Sequence, residues 1–386
     1  MKCITPKMKE KPEKVNEKEA AKKGILEQIK ELEDELKKTK YNKATQHHIG
    51  LVKAKLARLK EKQLARTSGG KRGEGYSVRK TGDATVVLVG FPSVGKSTLL
   101  NKITNAESKI AAYAFTTLTC IPGLMEYKHA KIQVLDIPGM VQGAARGIGR
   151  GREVLSVVQN SDMVIILLDV FDYRQLDTIK HELYDAGIRM NQKKPDVTIK
   201  KTMRGGISVA STVRLSHLDE RTITSVLKEY KMINADIVIR EDITVDQLID
   251  IVEGNKKYIP AVIVLNKIDM VDEKTIQTAR EYAGNSIPIS AEKNINLEIL
   301  KEAIFQKLNF IRIYLKETGR RADTEEPLIM KSPCTIREVC SKLHKDFVTK
   351  FRFARIWGKS VKFDGQKIFN MEHALMDEDV LQLNIK

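Results

Sequence analysis

The sequence predicts an α/β fold built on a mostly parallel sheet with flanking helices. Apolar, β-branched runs end before residues 90, 136, 170, 266 and 290, and helix-like stretches alternate with them. This alternation is typical of parallel strands joined by crossover helices. The chain has 386 residues and is 42% hydrophobic. Since that length exceeds one typical domain, we expect two or three packed units.

A basic helical hairpin is predicted for residues 1–68, followed by a polar, glycine-rich linker at 69–83. Apolar residues recur at helical spacing within 17–38 and again from residue 51 to about 66, which favours two helices that pair. The linker holds four glycines between residues 69 and 75 without any apolar periodicity, as expected of a connecting segment.

The formal charge of +17 is concentrated near the start of the chain. Residues 1–80 carry 23 basic against 11 acidic side chains, a charge of +12, and residues 40–80 carry 12 against 2. A basic helix of this density is typical of surfaces that contact RNA or a ribonucleoprotein. Because only Tyr41 and Tyr76 interrupt it, we expect backbone or shape contacts rather than base stacking. The alternative is a solvated face that keeps the protein soluble.

A small α+β domain is predicted as an insertion at residues 188–246. The strand at 163–169 and the next core strand at 261 are about 90 residues apart, whereas a crossover needs roughly a dozen. The domain that carries the sheet would thus be split into 84–187 and 247–310. Within the insertion we expect a hairpin of strands 197–199 and 207–209, a helix at 219–230 and a strand at 237–239. Residues 311–386 are expected to form a compact β-rich domain of the ubiquitin-like kind, with one main helix from 335 to about 344.

A phosphate-binding loop is predicted at residues 90–97, between the strand at 85–89 and the helix that follows. Gly90 and Gly95 let the backbone turn tightly, so that N–H groups and the positive end of the helix point at the β-phosphate. Lys96 would reach the β- and γ-phosphates and assist catalysis, and the Ser97 hydroxyl would coordinate Mg²⁺. The other residues expected to line the nucleotide are Pro92, Ser93, Val94 and Thr98.

A second motif, Asp136-Ile-Pro-Gly139, follows the apolar run at 132–135. Asp136 is expected to hold the Mg²⁺ shell, and the Gly139 N–H would sense the γ-phosphate. Between the two motifs, residues 113–119 are rich in hydroxyl groups. Thr117, preferred over Thr116, is expected to complete the Mg²⁺ shell in the triphosphate state, the alternative being an ordinary strand-forming threonine.

Two further segments predict a guanine base. Asp269 can accept hydrogen bonds from the guanine ring N–H and exocyclic amine, a donor pair that adenine lacks, so guanine should be preferred by orders of magnitude. Asn266 and Lys267 belong to the same Asn-Lys-Ile-Asp motif. Ser290-Ala291 would add a backbone N–H to the guanine carbonyl oxygen. Each segment alone is more often a surface turn, but four in this order, each behind a predicted strand, predict a guanine-nucleotide site.

Met140 occupies the position where many GTPases carry a glutamine that orients the attacking water. Methionine cannot do this, so we expect slow intrinsic hydrolysis, with the missing group supplied by a cation, a partner or a local side chain. The local alternatives are Arg146, Arg150 and Arg152 in a glycine-rich segment, which could equally form a basic loop that contacts a partner.

Composition excludes several other classes of protein. No apolar run approaches the roughly 20 residues that cross a bilayer, and the first residues lack an apolar signal core. Four cysteines, Cys3, Cys120, Cys334 and Cys340, are too few and too scattered for a disulfide framework or a paired zinc motif. We therefore expect a cytoplasmic protein with no membrane contact. The only metals expected are Mg²⁺ and, as one candidate source of the missing catalytic charge, potassium.

The chain resembles the developmentally regulated GTP-binding proteins, a branch of the Obg-like translation-factor GTPases, from end to end. The resemblance rests on residues 90–98, 115–118, 136–139, 147–152, 357–358 and 377–380. It implies a P-loop GTPase domain, a helical N-terminal arm, an insertion like the second domain of ribosomal protein S5 and a TGS domain at 311–386. The implied activity is hydrolysis of GTP to GDP and phosphate, coupled to ribosomes or RNA. Some related GTPases hold potassium with an asparagine, where this chain has Ser93, and eukaryotic relatives are stabilised by a protein partner.

The preferred function is a switch, in which GTP with Mg²⁺ orders residues 113–119 and 139–152 and hydrolysis releases that state. The alternative is a non-catalytic RNA- or ribosome-binding scaffold, in which Met140 marks lost hydrolysis and the nucleotide is a structural ligand. A phosphotransferase is disfavoured because no base that would activate an acceptor is evident.

Overall fold

The computed structural model describes residues 13–40, 42, 45–67, 82–104, 111–112, 119–137, 151–317, 319 and 325–385. Helices in these ranges are α1 (Glu13–Lys38), α2 (Gln46–Thr67), α3 (Lys96–Ile103), α4 (Gly151–Asn160), α5 (Gln175–Asp185), α6 (Glu220–Glu229), α7 (Val245–Glu253), α8 (Glu273–Ala283), α9 (Leu297–Lys307), α10 (Ile336–Leu343) and α11 (Lys345–Lys350). The strands are β1 (Ala84–Val89), β2 (Ala111–Ala112), β3 (Thr119–Tyr127), β4 (Ala130–Asp136), β5 (Met163–Asp169), β6 (Ile188–Met190), β7 (Val197–Lys201), β8 (Ile207–Ser211), β9 (Ala235–Ile239), β10 (Lys257–Ile259), β11 (Ala261–Asn266), β12 (Ser286–Pro288), β13 (Phe310–Leu315), β14 (Leu328–Lys331), β15 (Cys334–Thr335), β16 (Phe351–Trp357), β17 (Gln366–Ile368), β18 (Ala374–Leu375) and β19 (Val380–Ile385).

The chain divides into two compact units. One contains α1, α2 and residues 193–256, and the other contains the described residues of 74–192 and 257–385. No helix within the described ranges is long and apolar enough to cross a membrane.

A seven-stranded sheet in the order β12-β11-β5-β1-β4-β3-β2 forms the centre of the second unit. The strands from β12 to β4 are parallel, and β3 and β2 add antiparallel strands at one edge. The predicted α/β fold is confirmed. Every residue of β1 is buried, because α4, α5 and α8 cover one face of the sheet and α3 and α9 cover the other. This two-sided burial explains the unbroken apolar runs of the sequence.

The strand register brings polar residues to one edge of this sheet. Leu88 of β1 lies opposite Asp136 of β4, and Asp169 of β5 lies opposite Asn266 of β11. In open α/β sheets, ligands bind outside the carboxyl ends of the parallel strands. The predicted motifs therefore meet where such a fold binds its ligand.

The hairpin predicted for 197–199 and 207–209 is wrong. Both segments are strands, β7 and β8, but β9 lies between them, antiparallel to β7 and parallel to β8. The most apolar of the three strands thus occupies the centre, with Ala235, Ile237 and Ile239 buried. The connection from β8 through α6 to β9 forms a crossover that lays the helix on the sheet.

The helix predicted for 17–38 is α1, and the second predicted helix is α2, which begins at Gln46. α2 also packs on α6 and α7, so that the hairpin and residues 193–256 share one apolar core. Ala54 is fully buried in this core. A Cβ atom on Gly50 would lie 2.8 Å from the Thr222 methyl group, so a larger residue there would force the two helices apart.

Residues 310–385 form a five-stranded sheet in the order β14-β13-β19-β16-β17, with α10 as the main helix. Thr335 and Glu338 form a reciprocal capping box at the start of α10, which explains why the helix begins where the sequence predicted. Phe310 and Ile329 pack into the same apolar cluster as α9 and the central sheet. This domain is therefore anchored directly to the domain that carries the polar edge.

Candidate nucleotide site

The loop between β1 and α3 can be made only with glycine at two positions. A Cβ atom on Gly90 would lie 2.4 Å from the carbonyl oxygen of Leu167. Gly95 has a φ of +93°, and a Cβ atom there would lie 2.4 Å from the side-chain nitrogen of Asn266. Since Gly95 is also the N-cap of α3 and has no side chain to accept from the first turn, the N–H groups of that turn are available to an anion.

Lys96 lies inside this loop and is only 7% exposed. Its ammonium donates to the carbonyl oxygens of Gly90 at 3.0 Å and Phe91 at 2.8 Å. Burial lowers the pKa of Lys96, and the nearby Asp136 carboxylate opposes this shift. The loop thus holds a largely desolvated cation at the start of α3, where phosphate oxygens would be stronger acceptors than neutral carbonyls.

Ser97 and Asp136, the two residues expected at the Mg²⁺ ion, lie in direct contact. The Ser97 hydroxyl donates to Oδ2 of Asp136 at 2.6 Å, and Asp136 is 6% exposed. Its other carboxylate oxygen, Oδ1, is buried and has no hydrogen-bond partner among the residues that the structure describes. An unpaired buried carboxylate oxygen is costly, and a hydroxyl beside a carboxylate is a donor set that Mg²⁺ accepts. The residues present therefore fit a Mg²⁺ ion.

Asn266 joins two of the predicted segments. Its side-chain nitrogen donates to the carbonyl of Val94 at 2.9 Å, and its side-chain oxygen accepts from the N–H of Ala291 at 3.0 Å. Ala291 and Ser290 are both buried. Asn266 therefore fastens the phosphate loop to the Ser290-Ala291 segment.

Asp269 lies in a short 3₁₀ turn, Ile268–Met270, directly after β11. A hydrogen bond from Ser290 is the main cause that lowers the pKa of Asp269, and the Lys293 ammonium, 3.5 Å away, adds to it. The carboxylate is ionised at neutral pH and can only accept hydrogen bonds. This is the property required to recognise the N–H groups of guanine.

Lys267 is held in the left-handed backbone region, with a φ of 67°. Its ammonium lies 2.7 Å from Oδ2 of Asp169, the last residue of β5. Sequence reasoning missed Asp169 and Lys293. A signal existed for Asp169, since it is a carboxylate at the carboxyl end of a core strand. Lys293 had no such signal.

The remaining predicted residues divide into two groups. Pro92, Ser93 and Thr98 are exposed on the loop and the first turn of α3, whereas Val94 is buried. The predicted residues Thr117 and Gly139 lie outside the described residues, as do Thr116, Met140, Arg146 and Arg150. For Arg152 the structure describes only its place in α4.

Three family models match the chain in succession. Residues 85–201 match a model described as a 50S ribosome-binding GTPase, and residues 204–310 match the C-terminal region of that domain. Residues 311–384 match the TGS domain. The matches cover the nucleotide site described above and the C-terminal sheet.

Several curated proteins are similar over nearly the whole chain. An uncharacterized GTP-binding protein of Methanocaldococcus jannaschii is 54% identical over 367 residues, covering 94% of this chain and 93% of that protein. The developmentally-regulated G-protein 3 of Arabidopsis thaliana is 44% identical, covering 93% of this chain and 98% of that protein. The human developmentally-regulated GTP-binding protein 2 is 42% identical, covering 93% and 99%. With a GTPase domain, a TGS domain and relatives matched from end to end, the chain belongs to the developmentally regulated GTP-binding proteins.

Proposed function

We propose that this GTP-binding protein hydrolyses GTP to GDP and phosphate, with Mg²⁺ held by Ser97 and Asp136. The observation that carries the proposal is the buried Oδ1 of Asp136, which lies beside the Ser97 hydroxyl and has no hydrogen-bond partner in the described part of the chain. A metal ion there would neutralise charge on the β- and γ-phosphates. Thr117 is the further residue expected to contribute to that shell, and the Gly139 N–H is the expected contact to the γ-phosphate.

Lys96 is the side chain assigned to the phosphates themselves. Its ammonium is already buried and held by two carbonyl oxygens, so little desolvation remains when phosphate oxygens replace them. Charge that builds on the phosphates as the terminal phosphoryl group leaves would strengthen this contact. Lys96 would therefore favour the transition state over the bound substrate.

Single-turnover phosphate release tests this role. Lys96→Ala should lower the rate of release at saturating GTP by about a hundredfold or more, the scale found when one preorganised electrostatic contact is removed. Lys102→Ala is the matched control, because Lys102 lies exposed in the last turn of the same helix. It removes the same charge and should leave the rate within about twofold, the range expected of a surface substitution. Equal rates for Lys96→Ala and the unmodified protein would contradict the proposal and favour the scaffold alternative.

Met140 stands where many GTPases carry the glutamine that orients the attacking water, so another group has to assist hydrolysis. We propose three alternatives for this group: a potassium ion, an activating partner, or an arginine among Arg146, Arg150 and Arg152. Ser93, which stands where related GTPases carry a potassium-binding asparagine, is exposed with a φ of 65°. Running the same assay in potassium and in sodium separates the potassium alternative from the other two. Equal rates in both salts exclude potassium.

Coupling of the GTP switch to ribosomes or RNA belongs to the same proposal. It is supported by the charge of +12 over residues 1–80 and by the ribosome-binding description of the matched family model. Purified ribosomes should accelerate Lys96-dependent phosphate release. The GTP-bound protein should also sediment with ribosomes more than the GDP-bound protein does. Release that ribosomes leave unchanged, together with equal sedimentation in both states, would overturn the coupling.

A further inference from the structure

One face of the C-terminal sheet combines aromatic rings with cations. Along β16, Ala354 and Ile356 point into the core beneath α10. Because side chains alternate along a strand, Phe353, Arg355 and Trp357 point to the opposite face. Arg355 is exposed, and the two aromatic side chains are half-buried.

The neighbouring strands add to this face. Lys367 of β17 lies opposite Arg355 in the strand register, and its ammonium lies 5.2 Å from the centre of the Phe353 ring. Phe369 follows directly after β17, is 70% exposed, and its ring centre lies 5.9 Å from that of Phe353. We call Lys316, Phe353, Arg355, Trp357, Lys367 and Phe369 the aromatic face.

The charge of the aromatic face has one sign. The ammonium of Lys316 lies 4.3 Å from the centre of the Trp357 ring, so each end of the face carries a cation over an aromatic ring. β19, which lies beside β16, contributes Val380, Gln382 and Asn384 to the same side of the sheet. These positions, like those of the aromatic face itself, bear no carboxylate. Lys316, Arg355 and Lys367 form no ion pair within the described residues, so their charge remains available to complement a polyanion.

We propose that the aromatic face binds single-stranded RNA, with bases stacked on Phe369, Phe353 and Trp357 and phosphates paired with Lys316, Arg355 and Lys367. The proposal rests on the proposed coupling to ribosomes or RNA and names a site for it. Duplex RNA presents bases already stacked on each other, whereas unpaired bases can stack on aromatic side chains of a sheet. The basic N-terminal arm has almost no aromatic residues. The aromatic face would therefore supply the rings on which bases stack.

Trp357 provides a direct measurement, because it is the only tryptophan of the chain. A single-stranded RNA 12-mer of mixed sequence, added to the full-length protein, should quench its fluorescence, and the affinity should fall as salt rises. The same strand annealed to its complement should bind at least tenfold more weakly. Absence of quenching, equal binding of the duplex, or equal quenching by a polyglutamate peptide of the same charge would overturn the proposal.

Two phenylalanines make a matched pair of variants. Phe369→Ala should weaken binding of the 12-mer about tenfold, within the range measured for loss of one base-stacking side chain. Phe363→Ala removes a ring of similar exposure, 63%, that belongs to the segment between β16 and β17 and not to the aromatic face, and should leave affinity within about twofold, as an ordinary surface substitution does. Because both rings are exposed, neither substitution should unfold the protein. Equal affinities for the two variants would contradict a stacking site.

A sedimentation assay separates this proposal from the one it rests on. If ribosomes pellet the protein while the 12-mer fails to quench Trp357, the aromatic face is the wrong site and ribosome coupling stands. If the 12-mer quenches Trp357 but ribosomes neither pellet the protein nor accelerate phosphate release, the RNA site stands and ribosome coupling fails.

Discussion

The side chain of Asn266 donates a hydrogen bond to the carbonyl of Val94 at 2.9 Å, which ties the guanine motif to the phosphate loop. Asn266→Asp keeps the shape of the side chain but places an oxygen against that carbonyl. Asn266 is 3% exposed, so the lost bond should cost about 1–3 kcal/mol of stability. GTP affinity should fall at least tenfold because the loop is no longer held. Denaturant unfolding and a GTP titration measure the two effects.

Asn191→Asp is the control for this prediction. Asn191 donates to the carbonyl of Ala261 and accepts from the Ala261 N–H, both at 2.9 Å, at the opposite end of β11. The substitution should therefore affect stability without changing GTP affinity. If Asn266→Asp binds GTP as tightly as the unmodified protein, Asn266 does not position the loop.

Asp269→Asn should change which base is bound. The carboxylate, whose pKa is lowered chiefly by the Ser290 hydrogen bond, offers only acceptors to guanine. An asparagine side chain presents an N–H₂ group in place of one oxygen. This donor would face the amine of guanine, which is also a donor, whereas the carbonyl oxygen of xanthine could accept its hydrogen bond. We expect GTP affinity to fall by about a hundredfold or more and affinity for xanthosine triphosphate to rise, as for other hydrogen-bonding sites that reject a mismatched analogue. Competition between the two nucleotides tests this, and an unchanged preference for GTP would count against the assigned role.

The phosphate loop and the central strands could be predicted from sequence because their signals are local. Residues 90–97 form one contiguous motif, and a strand covered on both faces is apolar throughout. Gly90 shows how the local motif agrees with the packing of the fold. The motif requires glycine at this position, and the carbonyl oxygen of Leu167 leaves no room there for a Cβ atom. The ion pair of Lys267 with Asp169 joins residues 98 positions apart, and no local pattern indicates it.

The order of β7, β9 and β8 shows where local signals fail. Gly205 and Gly206 both have positive φ angles, as in a tight hairpin, and a turn of this kind is compatible with adjacent strands. Pairing is decided instead by the crossover through α6, which brings β9 between the two strands. A turn reverses the direction of the chain, but it does not determine which strands of the sheet pair with each other.

Glu302 should make stability depend on pH in acid. It pairs with the Lys128 ammonium at 2.7 Å and accepts from the Tyr127 hydroxyl at 2.8 Å, and these contacts lower its pKa from 4.5 to about 2. A carboxylate with a depressed pKa stabilises the folded state above its unfolded pKa, and this contribution is lost as the pH falls through the folded value. The unmodified protein should therefore unfold at a higher temperature than the Glu302→Gln variant. This difference in unfolding temperature should be constant from pH 7 to 5 and shrink from pH 4.5 to 3.

Because Glu302 is partly exposed, with a side-chain exposure of 32%, the ionic part of its effect should be below about 1 kcal/mol. Glu298→Gln serves as the control, since Glu298 lies on the same helix, is 73% exposed and pairs with Lys301. It should change thermal stability little. A difference between the unmodified protein and Glu302→Gln that does not vary with pH would show that the carboxylate charge is not what stabilises this contact.

The basic arm needs a sharper test than reversal of all its charges. Lys53 pairs with Asp246 at 2.6 Å, Arg58 with Glu229 at 2.8 Å, and Lys60 with Glu33 at 2.9 Å. Their cations are partly neutralised and hold the arm to residues 193–256 or to α1. Lys55 and Lys62 are exposed and form no ion pair within the described residues. Among the described side chains of α2, these two lysines are therefore candidates to meet phosphates.

Replacing Lys55 and Lys62 together by glutamate should weaken sedimentation with ribosomes while GTP affinity and thermal stability stay unchanged. The dependence of RNA affinity on salt should fall by about one unit of slope per lost phosphate contact. Lys53→Glu with Arg58→Glu should instead lower the temperature of unfolding, because Asp246 and Glu229 then face like charges. If the first pair of substitutions leaves both sedimentation and salt dependence unchanged, the arm stabilises the unit that it packs against and does not dock RNA.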